Sequence, residues 1–240
     1  MLDTFAGIGG FSYAATKLVK GFQTTQFIEL DPFCQKILRK NFPYVPIHDD
    51  IRTYTAFSGQ FDIICGGFPC QDISGANSSR VGITQESRSG LFYELMRIIR
   101  MVRPRFVVLE NVAAILNNGL DIVLGELSQA GYDAEWSVIS ASSLGACHRR
   151  SRWWCVAYTN SERLQRQMFS KMEREIWTES NTRRLNPNWR QYVSKPILPR
   201  GSDGLSFRVD RTKALGNSVV PQVAAIPLQR VHDIYFNEKT

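Results

Sequence analysis

Through the first 140 residues, short apolar runs alternate with amphipathic stretches, and this alternation predicts the fold. Leu2–Phe5, Gln26–Glu29, Phe61–Cys65, Arg105–Leu109 and Glu135–Ser140 read as strands, with Trp153–Tyr158 following. Between them Phe11, Ala14, Ala15, Leu18 and Val19 fall at helical spacing, as do Leu91, Leu95, Ile98, Ile99 and Val102. Strands separated by helices of this length imply a parallel sheet covered on both faces. The expected fold class is α/β, a doubly wound, mostly parallel sheet.

The pattern stops near Thr159. From Asn160 to about Lys213 the chain is polar, rich in arginine and poor in aliphatic residues, with Asn186, Pro187, Pro196, Pro199, Gly201 and Gly204 as breakers. Ala214–Tyr235 turns apolar again and predicts a final helix from about Pro221. Three regions are therefore expected: 1–159, a basic arm or lobe over 160–213, and a C-terminal segment over 214–240 that rejoins the first.

Charge sharpens that division. The formal net charge of +7 is confined to one segment, since residues 141–213 hold 15 Lys+Arg against 6 Asp+Glu. Such a segment suits a polyanion, because Lys and Arg gain affinity from phosphates by releasing counterions. A merely solvated basic face would have the same composition. The five cysteines are odd in number and irregularly spaced, which argues against a disulfide framework or a zinc ribbon. No uncharged apolar run approaches the ~18 residues of a membrane helix, and Met1 leads directly into a glycine-rich turn rather than a signal pattern. A cytoplasmic protein with no metal is expected.

Five short stretches could carry chemistry. Phe5-Ala6-Gly7-Ile8-Gly9-Gly10 stands between a strand and a helix, where glycines let the backbone turn tightly and approach a ligand. Glu29 ends the next strand, where a carboxylate can bind ribose hydroxyls. The turn fits NAD, FAD or S-adenosylmethionine, although the missing third glycine tilts away from NAD. Asp50-Ile51 could meet an adenine. Cys65-Gly66-Gly67-Phe68-Pro69-Cys70 follows a strand at the edge where such sheets bind ligands, and its Gly/Pro loop sets Cys70 apart from Cys34 and Cys65, which read as inert core thiols. Glu110-Asn111-Val112 comes directly after the strand Arg105–Leu109; Glu110 either faces the crevice of Cys70 or caps the next helix. Arg150 and Arg152, in a strand-like stretch, share one face and suit a ring oxygen, a carboxylate or a phosphate. Asn217, between Gly216 and Ser218 in an apolar run, suggests a buried polar contact.

Taken together and in this order, Phe5–Gly10, Pro69-Cys70-Gln71, Glu110–Val112, Arg150-x-Arg152 and Gly216–Val219 resemble the cytosine-5 DNA methyltransferase family. The resemblance implies a Rossmann-like, S-adenosylmethionine-dependent domain that acts on double-stranded DNA, as bacterial or phage modification enzymes do, in a prokaryotic or phage-infected cell. A monomer is expected. It also implies roles: Cys70 as nucleophile on carbon 6 of a flipped cytosine, Glu110 at ring nitrogen 3, and Arg152 with Arg150 at the ring carbonyl. The cofactor would lie along Phe5, Gly7, Gly9, Gly10, Glu29, Leu30, Asp50, Ile51, Pro69, Leu91 and Asn217. Gln71–Gln85 would close over the base, with Arg80 and Arg88 toward phosphate, and 160–213 would be the target-recognition region. That region is small, so a short target site or loose specificity is expected, and the start at Met1 implies a short first strand. An inactive DNA-binding relic, a tRNA-directed methylase and a dehydrogenase-like domain are the alternatives.

Overall fold

The computed structural model describes residues 1–69, 90–159 and 214–237. Their strands are β1 (Leu2–Thr4), β2 (Gln26–Ile28), β3 (Ile47–His48), β4 (Ile63–Gly67), β5 (Phe106–Val112), β6 (Tyr132–Ser140) and β7 (Ser151–Thr159). The helices are α1 (Gly10–Tyr13), which continues as a π-helical turn over Ala14–Val19, then α2 (Pro32–Asn41), α3 (Leu91–Val102), α4 (Leu120–Gln129) and α5 (Pro221–Asn237). The strands form one sheet in the order β3-β2-β1-β4-β5-β7-β6. The pairs from β3 to β5 are parallel, while β7 runs antiparallel to both its neighbours, β5 and β6. This is the expected doubly wound α/β sheet with one inverted strand.

The apolar runs of β4, β5 and β7 are explained by burial on both faces. On one face, Phe11, Ala14, Ala15 and the α5 residues Val223, Ala224, Leu228 and Val231 pack on Val108, Trp154 and Val156. On the other, Phe92, Leu95, Met96 and Ile99 of α3, with Val123 and Leu127 of α4, pack on Ile64, Val107, Leu109 and Trp153. Cys34 and Cys65 are buried, as their apolar settings predicted.

Several elements go beyond the periodicity. β3 has only two residues, too few to show a period of two. Asp31 caps α2 by accepting from the backbone N–H groups of Phe33 and Cys34, with Pro32 in the first turn. β5 runs on through Val112, so Glu110-Asn111-Val112 is the end of the strand and not the turn after it, and Glu110 caps no helix.

One buried acid ties the first strand to the first helix. Asp3 is fully buried, and its Oδ2 accepts from the Ser12 hydroxyl at 2.6 Å and the Ser12 N–H at 3.2 Å. Thr24 donates in turn to the Ser12 hydroxyl at 2.9 Å. Burial pushes the Asp3 carboxyl up to about 7, against the lowering effect of the Ser12 hydrogen bonds. The unfolded chain ionises Asp3 near pH 3.8, whereas the folded chain holds the proton to about 7. The stability linked to Asp3 is therefore complete at the acid end and drains away as pH rises across that window. Urea midpoints measured from pH 4 to 8 are expected to fall less steeply for Asp3→Asn than for the wild type; parallel slopes would show that Asp3 is ionised throughout.

Candidate active site

The glycine turn at the carboxyl end of β1 depends on backbone that L side chains resist. Phe5, Gly7 and Gly9 have φ of 51°, 55° and 89°. A side chain at Gly9 would come within 2.7 Å of the Phe42 ring, whereas nothing lies within 4 Å of a Cβ at Gly7. Glu29, just past β2, closes the turn: its Oε2 accepts from the Gly7 N–H at 2.7 Å, and its Oε1 accepts from the Asp31 N–H at 2.8 Å. Next to it Leu30 stands 63% exposed, an uncovered apolar surface beside a fixed carboxylate. Ile51 is buried in the second core cluster. Asp50 is held by Arg52, whose backbone N–H, Nε and Nη2 all donate to it, and this pairing lowers its carboxyl below the ordinary range. Leu91 opens α3, half-buried. The open backbone at Gly7, the carboxylate and the bare leucine fit a nucleoside-bearing cofactor.

Two strands from β1 in the sheet, β5 sends alternate side chains to opposite faces. Glu110 points toward the α1/α5 layer and Asn111 toward the α3/α4 layer. Because β7 is antiparallel and Arg152 is opposite Val112, the Arg152 guanidinium reaches Glu110 on the diagonal, with Nε 3.1 Å from Oε1. Glu110 is 9% exposed. Burial raises its carboxyl to about 6, while the positive charges of Arg152 and Arg150 pull it down. Gly67 pairs with Glu110 across β4 and β5, and a Cβ there would sit 3.2 Å from Oε2, so glycine leaves room for the carboxylate. On the other face the Asn111 amide donates to the Phe68 carbonyl at 3.2 Å, and the Phe68 ring stacks at 5.0 Å on Phe92. The backbone leading into Pro69 is thus pinned from the strand that carries Glu110. Cys70, Gln71–Gln85, Arg80, Arg88 and the arm 160–213 lie outside the described residues.

Arg150 and Arg152 both act on the Glu110 carboxyl, Arg152 by contact and Arg150 through its charge. Arg150 precedes β7 with φ of 34°, outside the extended conformation on which strict alternation depends. Its Nη1 donates to the Gly216 carbonyl at 2.8 Å and its Nη2 to the Ser218 carbonyl at 2.6 Å. Asn217, between those carbonyls, is exposed and not buried, because it ends a helical turn over 214–217. Asp3 and Ser12 also shape the site without having been singled out. A lone hydroxyl two residues past Gly10 gave Ser12 no signal of its own, whereas the Asp-x-Phe-x-Gly run could have pointed to Asp3.

A cavity of about 320 Å³ opens at the other end of the sheet, between the amino ends of β1, β4 and β5 and α5, and contains none of these groups.

Packing at the turn generates a test. A Cβ at Gly10 would lie 2.6 Å from the Val219 carbonyl oxygen, a backbone atom that cannot swing aside. Overpacking of this kind costs roughly 1–3 kcal/mol. Gly10→Ala is expected to lower the stability by that amount in chemical denaturation; an unchanged midpoint would mean that 216–219 does not rest on the turn.

Comparison with known proteins gives the family and the fold. The family model described as C-5 cytosine-specific DNA methylase matches residues 1–203. Type II methyltransferase M.CviJI of Paramecium bursaria Chlorella virus IL3A is 35% identical over 160 residues, 65% of this chain and 42% of its own length. M.MspI of Moraxella sp is 32% identical over 66% of this chain and 38% of itself, and M.HhaI of Haemophilus parahaemolyticus 29% identical over 71% and 52%. The chain thus spans about half the length of these relatives, or less. The solved structure of S. pombe Dnmt2 methyltransferase shares the fold, with a TM-score of 0.54 at 20% identity over 67% of this chain and 51% of that one. With a family model that spans most of its length, the chain belongs to the C-5 cytosine-specific DNA methylases.

Proposed function

We propose that this chain transfers a methyl group from S-adenosylmethionine to carbon 5 of cytosine in double-stranded DNA. The observation that carries the proposal is the buried Glu110–Arg152 pair at the carboxyl end of β5, beside a Phe68 carbonyl pinned by Asn111. An acid and a guanidinium held together at such an edge suit a polar ring that needs a proton at one atom and a donor at its neighbour.

In this reading Cys70, two residues beyond Phe68, is the nucleophile. Its thiolate attacks carbon 6 of the pyrimidine, and the displaced electrons make carbon 5 nucleophilic. Protonated Glu110 gives a hydrogen bond or its proton to ring nitrogen 3, which neutralises the charge that develops there. Arg152 holds Glu110 and meets the ring carbonyl. After alkylation a base takes the carbon 5 proton, the electrons of that C–H bond restore the double bond and expel the Cys70 thiolate, and nitrogen 3 returns any proton it took to Glu110. A ring stacked in a duplex is out of reach of these groups, so the base is flipped out. The cofactor, when bound, supplies an electrophilic methyl group. Glu29 would hold its ribose, Leu30, Asp50 and Ile51 its adenine, and the Phe5–Gly10 turn, Pro69, Leu91 and Asn217 the remainder.

The three regions of the chain keep their assigned parts here: 1–159 binds cofactor and base, 160–213 reads DNA, and 214–240 completes the cofactor side. The membership of the chain in a DNA methylase family supports DNA over RNA as polymer. Among the described residues no helix is long and apolar enough to cross a membrane, and no cluster of three metal-binding side chains occurs.

The proposal is tested by transfer of tritiated methyl from the cofactor to duplex DNA and, in parallel, to tRNA. Incorporation into DNA that disappears in Cys70→Ser is expected. Incorporation into tRNA alone would redirect the proposal to RNA, and none into either would identify a binding relic.

A second test uses the pH dependence. If protonated Glu110 is the active form, kcat/KM for DNA gains a falling limb as pH rises past about 6, the value at which the free protein releases that proton. Glu110→Gln is expected to lose roughly 100-fold or more and to lack that limb. A Gln variant of near wild-type rate would remove Glu110 from the chemistry.

A further inference from the structure

Arg150 was expected beside Arg152 at the base, and its guanidinium is hydrogen-bonded to the segment that leads into α5. Its left-handed φ of 34° is a strained conformation for a side-chain-bearing residue, and such strain persists only where surrounding contacts over-determine it. Those contacts include the two carbonyls of Gly216 and Ser218, held by the two arms of one guanidinium at 2.8 and 2.6 Å. The planar fork of arginine suits this pattern, and the compact ammonium of lysine does not reproduce it.

The gripped segment then runs on into the glycine turn. The Val219 carbonyl lies where only glycine can stand at position 10, and a Val219 methyl is 3.8 Å from the place of a Cβ at Gly67. One residue later the Val220 carbonyl accepts from the N–H groups of Val223 and Ala224, which starts α5. Residues 216–220 therefore bridge the base side, at Arg150 and Gly67, and the cofactor side, at Gly10. They also follow directly on the arm.

We propose that Arg150 is a positioning residue rather than a base-contacting one: it latches the 216–219 segment against the Gly10 turn and so shapes the cofactor pocket from the strand that carries Arg152. The inference rests on the methyltransferase reading for its ligand, and on the Arg150 hydrogen bonds alone for the latch.

The test compares Arg150→Ala, Arg150→Lys and Arg152→Ala in the full chain by two measurements. Calorimetric binding of S-adenosylhomocysteine without DNA is expected to weaken at least tenfold in Arg150→Ala, less in Arg150→Lys, and little in Arg152→Ala. Amide hydrogen exchange over 216–220 is expected to quicken in the same order, at temperatures well below each variant's unfolding midpoint. In turnover, KM for the cofactor should rise more than kcat falls in Arg150→Ala. Wild-type affinity and wild-type exchange in Arg150→Ala, with transfer lost, would overturn the latch and return Arg150 to the base. Should the wild type bind no S-adenosylhomocysteine, the cofactor reading fails, and the exchange measurement still decides the latch.

Discussion

The structure depends on a carboxylate that has been taken out of water. Burying a charge is costly unless a partner and hydrogen bonds compensate it. Glu110 receives its partner only because β7 is inverted. In a wholly parallel sheet the neighbour of β5 would bring its carboxyl end to this edge. The antiparallel strand instead presents its first residues, and with them Arg152. The same burial that makes the pairing necessary lifts the acid to about 6, within reach of a proton exchange near neutrality.

Around that pair the molecule divides its labour by the two faces of one strand. Glu110 looks into the α1/α5 side, where the absent side chain of Gly67 leaves it space. Its immediate neighbour Asn111 looks the other way and holds the Phe68 carbonyl. Two adjacent residues thus fix two different things, an acid and a loop, from one rigid element, which is more exact than a site assembled on mobile connections. The glycine turn follows the same logic at β1: Asp3 anchors the helix that follows the turn, and Glu29 closes the turn from β2.

Much of this was legible in the residues. Strands buried on both faces read as unbroken apolar runs, so β4, β5 and β7 were visible, and α3 showed its stripe through Leu91, Leu95, Ile98 and Val102. Elements with little apolar signature were not: β3 is two residues long, and α2 is mostly polar and buries only Cys34 and Leu38. The strand end at Glu110 was placed too early, because a polar Glu-Asn pair mimics a turn when β7 is not yet known to pair with it. The grip of Arg150 on the Gly216 and Ser218 carbonyls was hidden for a related reason. Alternation predicts a shared face with Arg152 only if both residues are extended, and a left-handed φ before the strand removes that condition. Asn217 looked buried because its neighbours are apolar, while the helical turn that exposes it is not written in local composition.

The central claim is that the acid of β5 and the sulfur that follows Phe68-Pro69 meet on one extruded cytosine. The most direct measurement is to incubate the full chain and S-adenosylmethionine with duplex DNA containing 5-fluorocytosine, then map any protein–DNA adduct by mass spectrometry. Fluorine cannot depart from carbon 5 as a proton does, so a stable adduct on the peptide containing Cys70 is predicted. An adduct on another cysteine, or none from a preparation that methylates ordinary cytosine, would contradict it.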